Sequence, residues 1–352
     1  MAYRIAVIPG DGIGPEVIEQ ALRVLQRSAE LGGFAYETQH FPHGSEHYLE
    51  TGVLFPPETL QEIAGFDAIL LGAIGDPRVE VGLVERAVIS GLRFKLDLFV
   101  NLRPIRLYSE HLCPLKGKGP ADVDFVVVRE NTEDAYAGIG GHLKKGTPDE
   151  VAIQDMIFTR KGVERVIRYA YELCRKRAKR RKLTLVDKAN AIRAMDLWTR
   201  TFAEVGQEYP DIEQDHAYVD AACMWMVKSP EAFDVIVAPN LFGDIITDLG
   251  AMIQGGMGVA ASGNIHPGRV SMFEPIHGSA PKYKGKGVAC PVAAICAVQM
   301  MLDFLGQPAA AARIEAAVEG LARRGVIQSF DARSGLSSVQ FGDLILGEIG
   351  KG

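Results

Sequence analysis

The sequence predicts an α/β fold in which helices flank a largely parallel sheet. Two observations support this prediction. Short apolar runs alternate with longer helical segments through most of the 352 residues. Runs such as 66–72 and 125–129 are almost entirely apolar, as expected for strands that helices cover on both faces. This alternation is typical of βαβ units, which build parallel sheets.

The elements follow in order from the first strand, predicted over residues 4–9. A glycine-containing turn leads from it into a helix over 15–28. Pro15 suits the first turn of that helix, where a backbone N–H has no partner. Segment 255–264 is interpreted as a flexible loop. Further strands are predicted over 34–41, 66–72, 125–129, 182–188 and 234–239, and further helices over 161–177, 291–305 and 309–323.

Length and composition favour a two-lobed globular enzyme. Single cores rarely grow beyond about 250–300 residues. Hydrophobic residues make up 47% and charged residues 23% of the chain, which is ordinary for a soluble enzyme. The net charge of −6 argues against non-specific nucleic-acid binding. The basic run 175–182 is interpreted as a solvated helix end and loop.

Cysteine usage and hydropathy predict a cytoplasmic protein. The five cysteines include no CxxC pair, so the sequence indicates neither a structural zinc site nor a disulfide framework. Residues 3–9 are typical of a strand rather than a secretory leader. No apolar run approaches the roughly 20 residues of a membrane span.

Two carboxylates follow the strand predicted at 234–239. Asp244 and Asp248 are four residues apart on a predicted helix, so they share one helix face. Carboxylate oxygens are the ligands that hard divalent cations prefer. The alternative is that both acids complement the dipole at the start of the helix. Asp220, which closes a strand-like apolar segment, is a third candidate metal ligand.

Three arginines lie at the ends of apolar segments: Arg93, Arg103 and Arg129. An arginine in such a place must pair with an acid or wait for an anion. Its planar fork matches a carboxylate in a bidentate way. Taken singly, each is interpreted as half of a structural ion pair. Taken together beside a metal pair, they predict a small substrate with several carboxylates.

Tyr136 and Lys188 are candidate proton-transfer residues. Tyr136 lies shortly after Arg129, and Lys188 ends the strand predicted at 182–188. Phenol and ammonium groups titrate near about 10 when unperturbed, and a nearby cation lowers their pKa toward neutral pH. The alternative roles are a buried hydrogen-bonding tyrosine and a surface lysine.

A loop around residue 277 is the candidate nucleotide site, because it offers free backbone N–H groups, an imidazole and a cation. The glycines at 10, 12 and 14 are spaced GxGxG rather than GxGxxG. A Rossmann site is therefore only weakly indicated there, and the glycines are interpreted as a tight turn. The candidate cofactor residues in and before the loop are Glu274, His277, Gly278, Ser279, Ala280, Lys282 and Tyr283.

Seven motifs in a fixed order carry a family resemblance. The chain resembles the metal-dependent β-decarboxylating dehydrogenases, which include isocitrate, homoisocitrate, tartrate, D-malate and 3-isopropylmalate dehydrogenases. The resemblance is nearest to the 3-isopropylmalate branch, although the third motif is nearer to the isocitrate and tartrate form. The motifs are IPGDGIGPE, LRFKLDLFVNLRP, VRENTEDAY, DKAN, YVDAA, NLFGDIITD and EPIHGSAP.

The resemblance implies a two-lobed isocitrate/isopropylmalate dehydrogenase-like fold that is not a Rossmann fold. A large cofactor-binding lobe, with a mostly parallel sheet, would comprise residues 1–98 and 252–352. A smaller central lobe over 99–251 would supply the contact of a homodimer. The active site would lie between the lobes and include residues of the second subunit.

The resemblance also implies a role for each candidate residue. Asp244 and Asp248 would bind Mg²⁺ or Mn²⁺, joined by Asp220 of the partner subunit. Lys188 of the partner subunit would accept the hydroxyl proton, and Tyr136 would donate a proton after CO₂ leaves. The loop candidates would hold the nicotinamide dinucleotide. Three arginines would hold the carboxylates of a dicarboxylate substrate: Arg93, Arg103 and Arg129.

Ile89 and Ser90 are predicted to contact the substrate's third substituent. In the 3-isopropylmalate branch a leucine pair typically precedes the arginine, whereas this chain has Ile89-Ser90-Gly91. A methyl-lined pocket discriminates by only about 1–3 kcal/mol per methylene. We therefore expect oxidative decarboxylation of 3-isopropylmalate, with a place in leucine biosynthesis, or of a close analogue such as 3-benzylmalate.

NAD is the predicted cofactor, and NADP is the alternative. Lys282 stands where NAD-using members often carry an aspartate, and Lys282 with Tyr283 resembles the pair of NADP-using isocitrate dehydrogenases. Cys290 stands where the family commonly has an asparagine near the adenine.

Other functions remain open from the sequence. Ser90 would suit the polar substituent of a tartrate, D-malate, isocitrate or homoisocitrate dehydrogenase substrate. A non-catalytic regulatory subunit would be expected to lack metal and proton-transfer residues, which this chain retains. A binding protein for dicarboxylates would need neither proton-transfer residues nor a dinucleotide loop.

Overall fold

The computed structural model describes residues 2–351, which form two compact units. Unit 1 takes in the chain up to Leu98, the segment Arg103–Val123 and the chain from Ala251 onward. Unit 2 comprises Phe99–Leu102 and Asp124–Gly250. These units differ from the lobes predicted at 1–98 with 252–352 and at 99–251 mainly in residues 103–123, which group with unit 1.

Strands lie close to their predicted positions, with shifts of one or two residues at most ends. The strands are β1 (Tyr3–Gly10), β2 (Tyr36–His40), β3 (Ala68–Ala73), β4 (Val100–Arg106), β5 (Asp124–Glu130), β6 (Gly140–Leu143), β7 (Val151–Gln154), β8 (Lys182–Asp187), β9 (Glu213–Tyr218), β10 (Val235–Ala238), β11 (Ala261–Ile265) and β12 (Ser271–Pro275).

The predicted helices are also present, and shorter ones lie between them. The helices are α1 (Gly14–Gly32), α2 (Ser45–Thr51), α3 (Pro57–Ile63), α4 (Leu83–Glu85), α5 (Gly91–Lys95), α6 (Arg160–Arg177), α7 (Asp196–Gly206), α8 (Val219–Lys228), α9 (Asn240–Ile253), α10 (Val292–Phe304), α11 (Pro308–Arg323) and α12 (Ser338–Ile349).

Unit 1 is built on a mainly parallel sheet. β1 lies between β2 and β3 and runs parallel to both. β12 runs parallel to β3, and β11 runs antiparallel to β12. Every residue of β3 is buried. α10 packs against β12, α1 and α11, and most of its residues are buried, as expected for a largely apolar helix.

In unit 2, β10 lies between β5 and β8 and runs parallel to both, and β9 pairs with β8 and forms the edge. All four residues of β10 are buried, and α6 packs against β5, β10 and β8. A two-stranded antiparallel hairpin of β6 and β7 completes the unit. Both units therefore have the predicted α/β organisation.

Two local predictions are wrong. The segment before Asp220 is not apolar, since β9 has the sequence EQDHAY and its side chains are exposed or half-buried. A polar composition suits the edge of a sheet, where an apolar strand would invite further pairing. Residues 262–264 are not a flexible loop but lie in β11, which is buried throughout.

The basic run at 175–182 is in part structural. It ends α6, and Arg175 donates to Asp211 over 2.6 Å. Arg177 pairs with both Asp124 and Asp234 at 3.1 Å. Acidic side chains thus neutralise part of the run, so its arginines are not all solvated as predicted. No helix within residues 2–351 has the length and apolar character needed to span a bilayer.

The turn after β1 depends on two glycines. Gly10 and Gly12 have φ of 76° and 58°, which glycine adopts without strain. A Cβ on Gly12 would lie 1.9 Å from the carbonyl oxygen of Ser279, and the N–H of Ile13 donates to that oxygen over 2.9 Å. The interpretation of a tight turn is confirmed, and the turn packs directly on the loop that contains the candidate cofactor residues.

Gly12→Ala is expected to lower the free energy of unfolding by more than about 2 kcal/mol. A left-handed backbone costs an alanine about 1 kcal/mol, and the added methyl would also force apart two hydrogen-bonded backbone segments. Gly33→Ala is the matched control, because Gly33 has φ of 68° but open space where a Cβ would lie. Urea unfolding of both variants measures the difference; equal losses would contradict a packing role for Gly12.

Candidate active site

α9 presents the two predicted metal carboxylates. Only Pro239 separates the end of β10 from the start of α9. α9 has no acidic residue in its first turn, because Asp244 and Asp248 are its fifth and ninth residues. The alternative that these acids complement the helix dipole is therefore not supported, since that effect is confined to the first turn. Asp244 is half-buried and Asp248 is exposed.

Arg129 lies at the end of β5 and reaches Asp244. Its side chain is 2% exposed, and its Nη1 donates to Asp244 Oδ1. Its Nε donates to the backbone oxygen and to Oδ1 of Asn240 over 3.0 and 2.9 Å. Burial of a guanidinium is tolerated only when its charge is paired and its N–H groups are bonded, and these contacts provide both.

Gly243 makes this contact sterically feasible. A Cβ on Gly243 would lie 2.6 Å from Cγ and 2.7 Å from Cβ of Arg129. Any larger residue would push α9 away from the arginine. The glycine in the NLFGD motif therefore lets the first turns of α9 approach β5 closely.

Tyr136 shares the same carboxylate. Its phenol donates to Asp244 Oδ2 over 2.9 Å, and its ring centre lies 5.3 Å from the guanidinium carbon of Arg129. The side chain is 40% exposed, so the predicted alternative of a buried tyrosine is wrong. Asp244 thus joins a buried cation and an accessible phenol within unit 2.

Glu130 follows Arg129 and lies on the opposite face of β5, because successive strand residues alternate. Its carboxylate accepts from the N–H groups of Thr132 and Glu133 over 2.7 and 2.9 Å. Burial raises the pKa of Glu130 to about 7, against the opposing effect of these hydrogen bonds. The residue shapes the start of the loop that leads to Tyr136.

Lys188 and Asp220 form an ion pair elsewhere in unit 2. Lys188 Nζ lies 2.5 Å from Asp220 Oδ1, and the carboxylate is 67% exposed. The hydrogen bond from Lys188 is the main cause that lowers the pKa of Asp220. Asp187, just before the lysine, is buried, and its Oδ1 lies 2.9 Å from His216 Nε2. Asp220 lies in the first turn of α8 rather than at the end of a strand.

The donor set for a divalent cation is incomplete within one described chain. No group of three or more His, Cys, Asp or Glu side chains in residues 2–351 converges as a metal site. The two α9 carboxylates are oxygen donors of the type that Mg²⁺ and Mn²⁺ prefer. They fit a cation whose remaining ligands come from water, substrate or a second chain.

In unit 1, Arg93 is paired with a predicted cofactor residue. Its Nη2 donates to Glu274 Oε1 over 2.8 Å. Asn264 Nδ2 donates to the same oxygen over 2.7 Å, and Glu274 is buried at the end of β12. The sequence analysis anticipated an ion pair for Arg93 but did not identify its partner. Arg103 lies in β4 with its side chain buried.

A single π-helical turn precedes Arg93. It spans Arg86–Ser90, between α4 and α5, and such turns are frequent at functional sites. Ile89 packs partly against the apolar core of unit 1, so its side chain contributes to packing. Ser90 is half-buried and lies three residues before Arg93, on the same face of a helix.

The cofactor candidates lie between β12 and α10. His277 Nδ1 lies 3.1 Å from the backbone oxygen of Gly278, and its buried Nε2 has no hydrogen-bond partner among the described residues. Burial lowers the pKa of His277, which favours a neutral ring. Ala280 adopts a left-handed backbone with φ of 41°. Ser279 is buried and its carbonyl faces Gly12, so this loop has a defined shape.

The remaining cofactor candidates are Lys282, Tyr283 and Cys290. Lys282 Nζ lies 4.8 Å from the ring centre of Tyr283, a cation–π distance. Cys290 is buried, and its thiol lies 3.6 Å from the backbone oxygen of Gly258. Burial raises the pKa of the Cys290 thiol, so it acts as a small apolar side chain rather than a nucleophile.

Comparison with known proteins agrees with this architecture. The sequence profile described as isocitrate/isopropylmalate dehydrogenase matches residues 4–343. A 3-isopropylmalate dehydrogenase of Thermobifida fusca is 52% identical over 318 residues, 90% of each chain. One of Frankia casuarinae is 52% identical over 318 residues, covering 90% of this chain and 91% of the relative.

Solved structures lead to the same family. The crystal structure of isocitrate dehydrogenase from Methylococcus capsulatus has a TM-score of 0.88 and 36% identity, and the match covers 99% of both chains. The predicted fold class is thereby confirmed. With a profile match over nearly its whole length and relatives at half identity, the chain belongs to the isocitrate/isopropylmalate dehydrogenase family.

Proposed function

We propose that this protein oxidises and decarboxylates 3-isopropylmalate, with NAD as hydride acceptor and Mg²⁺ or Mn²⁺ as the metal. The relatives named 3-isopropylmalate dehydrogenase, at about half identity, support the substrate. The observation that carries the chemistry is the shared carboxylate of Asp244, which lies between a buried arginine and an accessible phenol. We also propose a cytoplasmic location, which the five free thiols support.

Different residues are proposed to bind the substrate and the dinucleotide. Arg129 lies beside the metal carboxylates and is proposed to receive a substrate carboxylate there. Arg93 and Arg103 are proposed to hold the remaining substrate carboxylate charge. Bidentate pairing fixes the orientation of the substrate as well as neutralising it. The loop from His277 to Tyr283 is proposed to hold the dinucleotide, with Glu274 and Cys290 at its flanks.

Two residues of the chain are proposed to move protons. When bound, the cation supplies Lewis acidity at the hydroxyl oxygen, and the nicotinamide accepts the hydride. Lys188 accepts the hydroxyl proton, directly or through water. Tyr136, whose phenol already donates a hydrogen bond toward the metal carboxylates, gives a proton to the carbon that loses CO₂. Both transfers require a group held within hydrogen-bond reach.

Removal of one metal carboxylate tests the metal proposal. Asp248→Asn is expected to weaken Mn²⁺ binding and to lower kcat/KM by at least about tenfold. Asp248 is exposed, so this variant leaves the ion pair of Arg129 and Asp244 in place. Asp196→Asn, which removes an exposed partner of Arg200, is the matched charge control. Calorimetric titration with Mn²⁺ measures binding apart from turnover.

Chelation provides the complementary test. Exhaustive treatment with EDTA should abolish turnover, and added Mn²⁺ or Mg²⁺ should restore it. Activity that survives chelation, or wild-type Mn²⁺ affinity in the Asp248 variant, would refute the metal proposal.

A substrate and cofactor panel tests the reaction itself. We expect NAD reduction with 3-isopropylmalate, and measurable turnover of 3-benzylmalate because Ser90 leaves room where the family typically has a leucine. Ser90→Leu should raise the preference for isopropyl over benzyl by about 10-fold or more, while Ser109→Leu, elsewhere on unit 1, should not. Initial rates with NAD and NADP are compared in the same assay. Turnover confined to tartrate, D-malate, isocitrate or homoisocitrate, or confined to NADP, would replace our assignment.

A homodimer with shared sites is proposed as the working assembly. Unit 2 exposes large apolar side chains on the β6–β7 hairpin, α8 and α9. Monomeric proteins rarely expose large apolar patches, so such a surface suggests a protein–protein contact. Lys188 and Asp220, which pair with each other in one chain, are proposed to join the site of the partner subunit. The exposed apolar residues are Leu143, Val151 and Ile153 on the β6–β7 hairpin, Met224, Trp225 and Val227 on α8, and Ile245 on α9.

Mixed dimers test the sharing of residues. Tyr136→Phe and Lys188→Met should each be nearly inactive as homodimers. When the two are unfolded together and refolded in equal amounts, random pairing gives half heterodimers, each with one intact site of two. About a quarter of wild-type activity should then return. No recovery in heterodimers isolated by two affinity tags would show that each chain supplies its own tyrosine and lysine.

The retained proton-transfer and metal residues argue against a regulatory subunit. Turnover of the substrate panel by the purified chain alone distinguishes a catalytic enzyme from a regulatory subunit, because a regulatory subunit would require a second, catalytic chain.

A further inference from the structure

Asp134 has a backbone conformation that a side chain rarely adopts. It precedes the short helical turn Ala135–Ala137 and has φ of 69° and ψ of −151°. A non-glycine residue in such a region costs about 1–3 kcal/mol and persists only when its surroundings hold it there. The residue is fully buried. Glycine would relieve this strain, so the carboxylate must contribute something that glycine would lose.

The carboxylate of Asp134 connects two segments of unit 2. Its Oδ2 accepts from the N–H of Leu241, in the first turn of α9, over 2.9 Å. Its Oδ1 accepts from the N–H of Ala135, next to Tyr136, over 2.8 Å. The backbone N–H of Asp134 donates to Ile157 over 2.8 Å, which fixes the loop from its other side.

A second contact runs parallel to the first. Asn240 Nδ2 donates to the backbone oxygen of Glu133 over 3.2 Å, while the oxygens of Asn240 accept from Arg129. The tyrosine loop, the start of α9 and the buried arginine are therefore joined by hydrogen bonds. In this network, the Asp134 carboxylate accepts one backbone N–H from the loop and one from α9.

Tyr136 needs such a connection. Because its side chain is 40% exposed, packing contributes only part of its placement. Its hydrogen bond to Asp244 spans from the loop to the second turn of α9, so its length depends on how the loop sits on the helix. Displacements of about 1 Å at a reacting group can reduce rates by about 100-fold.

We propose that Asp134 is a positioning residue that holds the phenol of Tyr136 against Asp244 by tying the tyrosine loop to the first turn of α9. This inference rests on the proposed function, in which Tyr136 is the proton donor. The backbone strain at Asp134 is the cost of placing a charged acceptor between two backbone N–H groups. Asp134 itself does not contact the substrate.

Asp134→Gly separates positioning from folding. Glycine adopts the observed φ and ψ without strain, so the melting temperature should fall by only a few degrees or stay unchanged. The loss of both acceptor bonds should lower kcat by about 10- to 100-fold, with KM for 3-isopropylmalate changed by less than about threefold. The solvent deuterium isotope effect on kcat should rise, because proton donation by Tyr136 becomes slower.

Two further variants make the test specific. Asp134→Asn retains one acceptor oxygen and tolerates positive φ, so its kcat should lie between wild type and Asp134→Gly. Glu133→Gln is the matched control, since the Glu133 carboxylate anchors the same loop to Thr159 and not to α9. Its kcat and isotope effect should stay close to wild type.

A measurement without turnover keeps the inference separate from the proposed function. Fluorotyrosine placed at position 136 reports its environment by ¹⁹F NMR, and its signal should shift or broaden in Asp134→Gly but not in Glu133→Gln. If wild type fails to turn over 3-substituted malates, the proposed function fails, and the NMR result alone decides the placement of Tyr136. Wild-type kinetics or an unchanged signal in Asp134→Gly would overturn the inference, as would equal losses in the Glu133 variant.

Discussion

The guanidinium of Arg129 is buried at the end of β5, and Asp244 is the carboxylate that compensates its charge. A buried arginine without an acid would be strongly destabilising, so β5 and α9 must approach until the pair forms. Gly243 allows that approach because it places no Cβ against the arginine. The same contact directs the Asp244 carboxylate toward Tyr136. One ion pair therefore links the packing of α9 against β5 to the placement of the Tyr136 phenol.

In unit 2, candidate site residues follow three neighbouring parallel strands. Polar residues follow β5, β8 and β10, and parallel strands bring their carboxyl ends to a common edge. The loop after β5 carries Tyr136, the residue after β8 is Lys188, and α9 follows β10. The hydrogen bonds of Asp134 and Asn240 then determine how the loop after β5 sits on α9.

In unit 1, two contacts hold the candidate cofactor residues in place. The glycine turn after β1 packs on the backbone of the loop around Ser279, and Glu274 joins Arg93 to β11 through Asn264. Neither contact is a feature of the Rossmann phosphate-binding turn. The defined shape of this loop would lower the cost of ordering the dinucleotide that we propose it binds.

Local patterns in the chain were enough to predict the α/β fold, the order of the main strands and helices, and the family, because apolar periodicity and motif order can be read from the residues alone. They also nominated Asp244, Tyr136 and Arg129 by residue type. The folded structure was needed to show that the Asp244 carboxylate contacts both Arg129 and Tyr136, since segments far apart in sequence meet there. The edge position of β9, the burial of β11 and the role of Asp134 were hidden for the same reason: pairing, burial and hydrogen-bond partners depend on neighbours that no local pattern specifies.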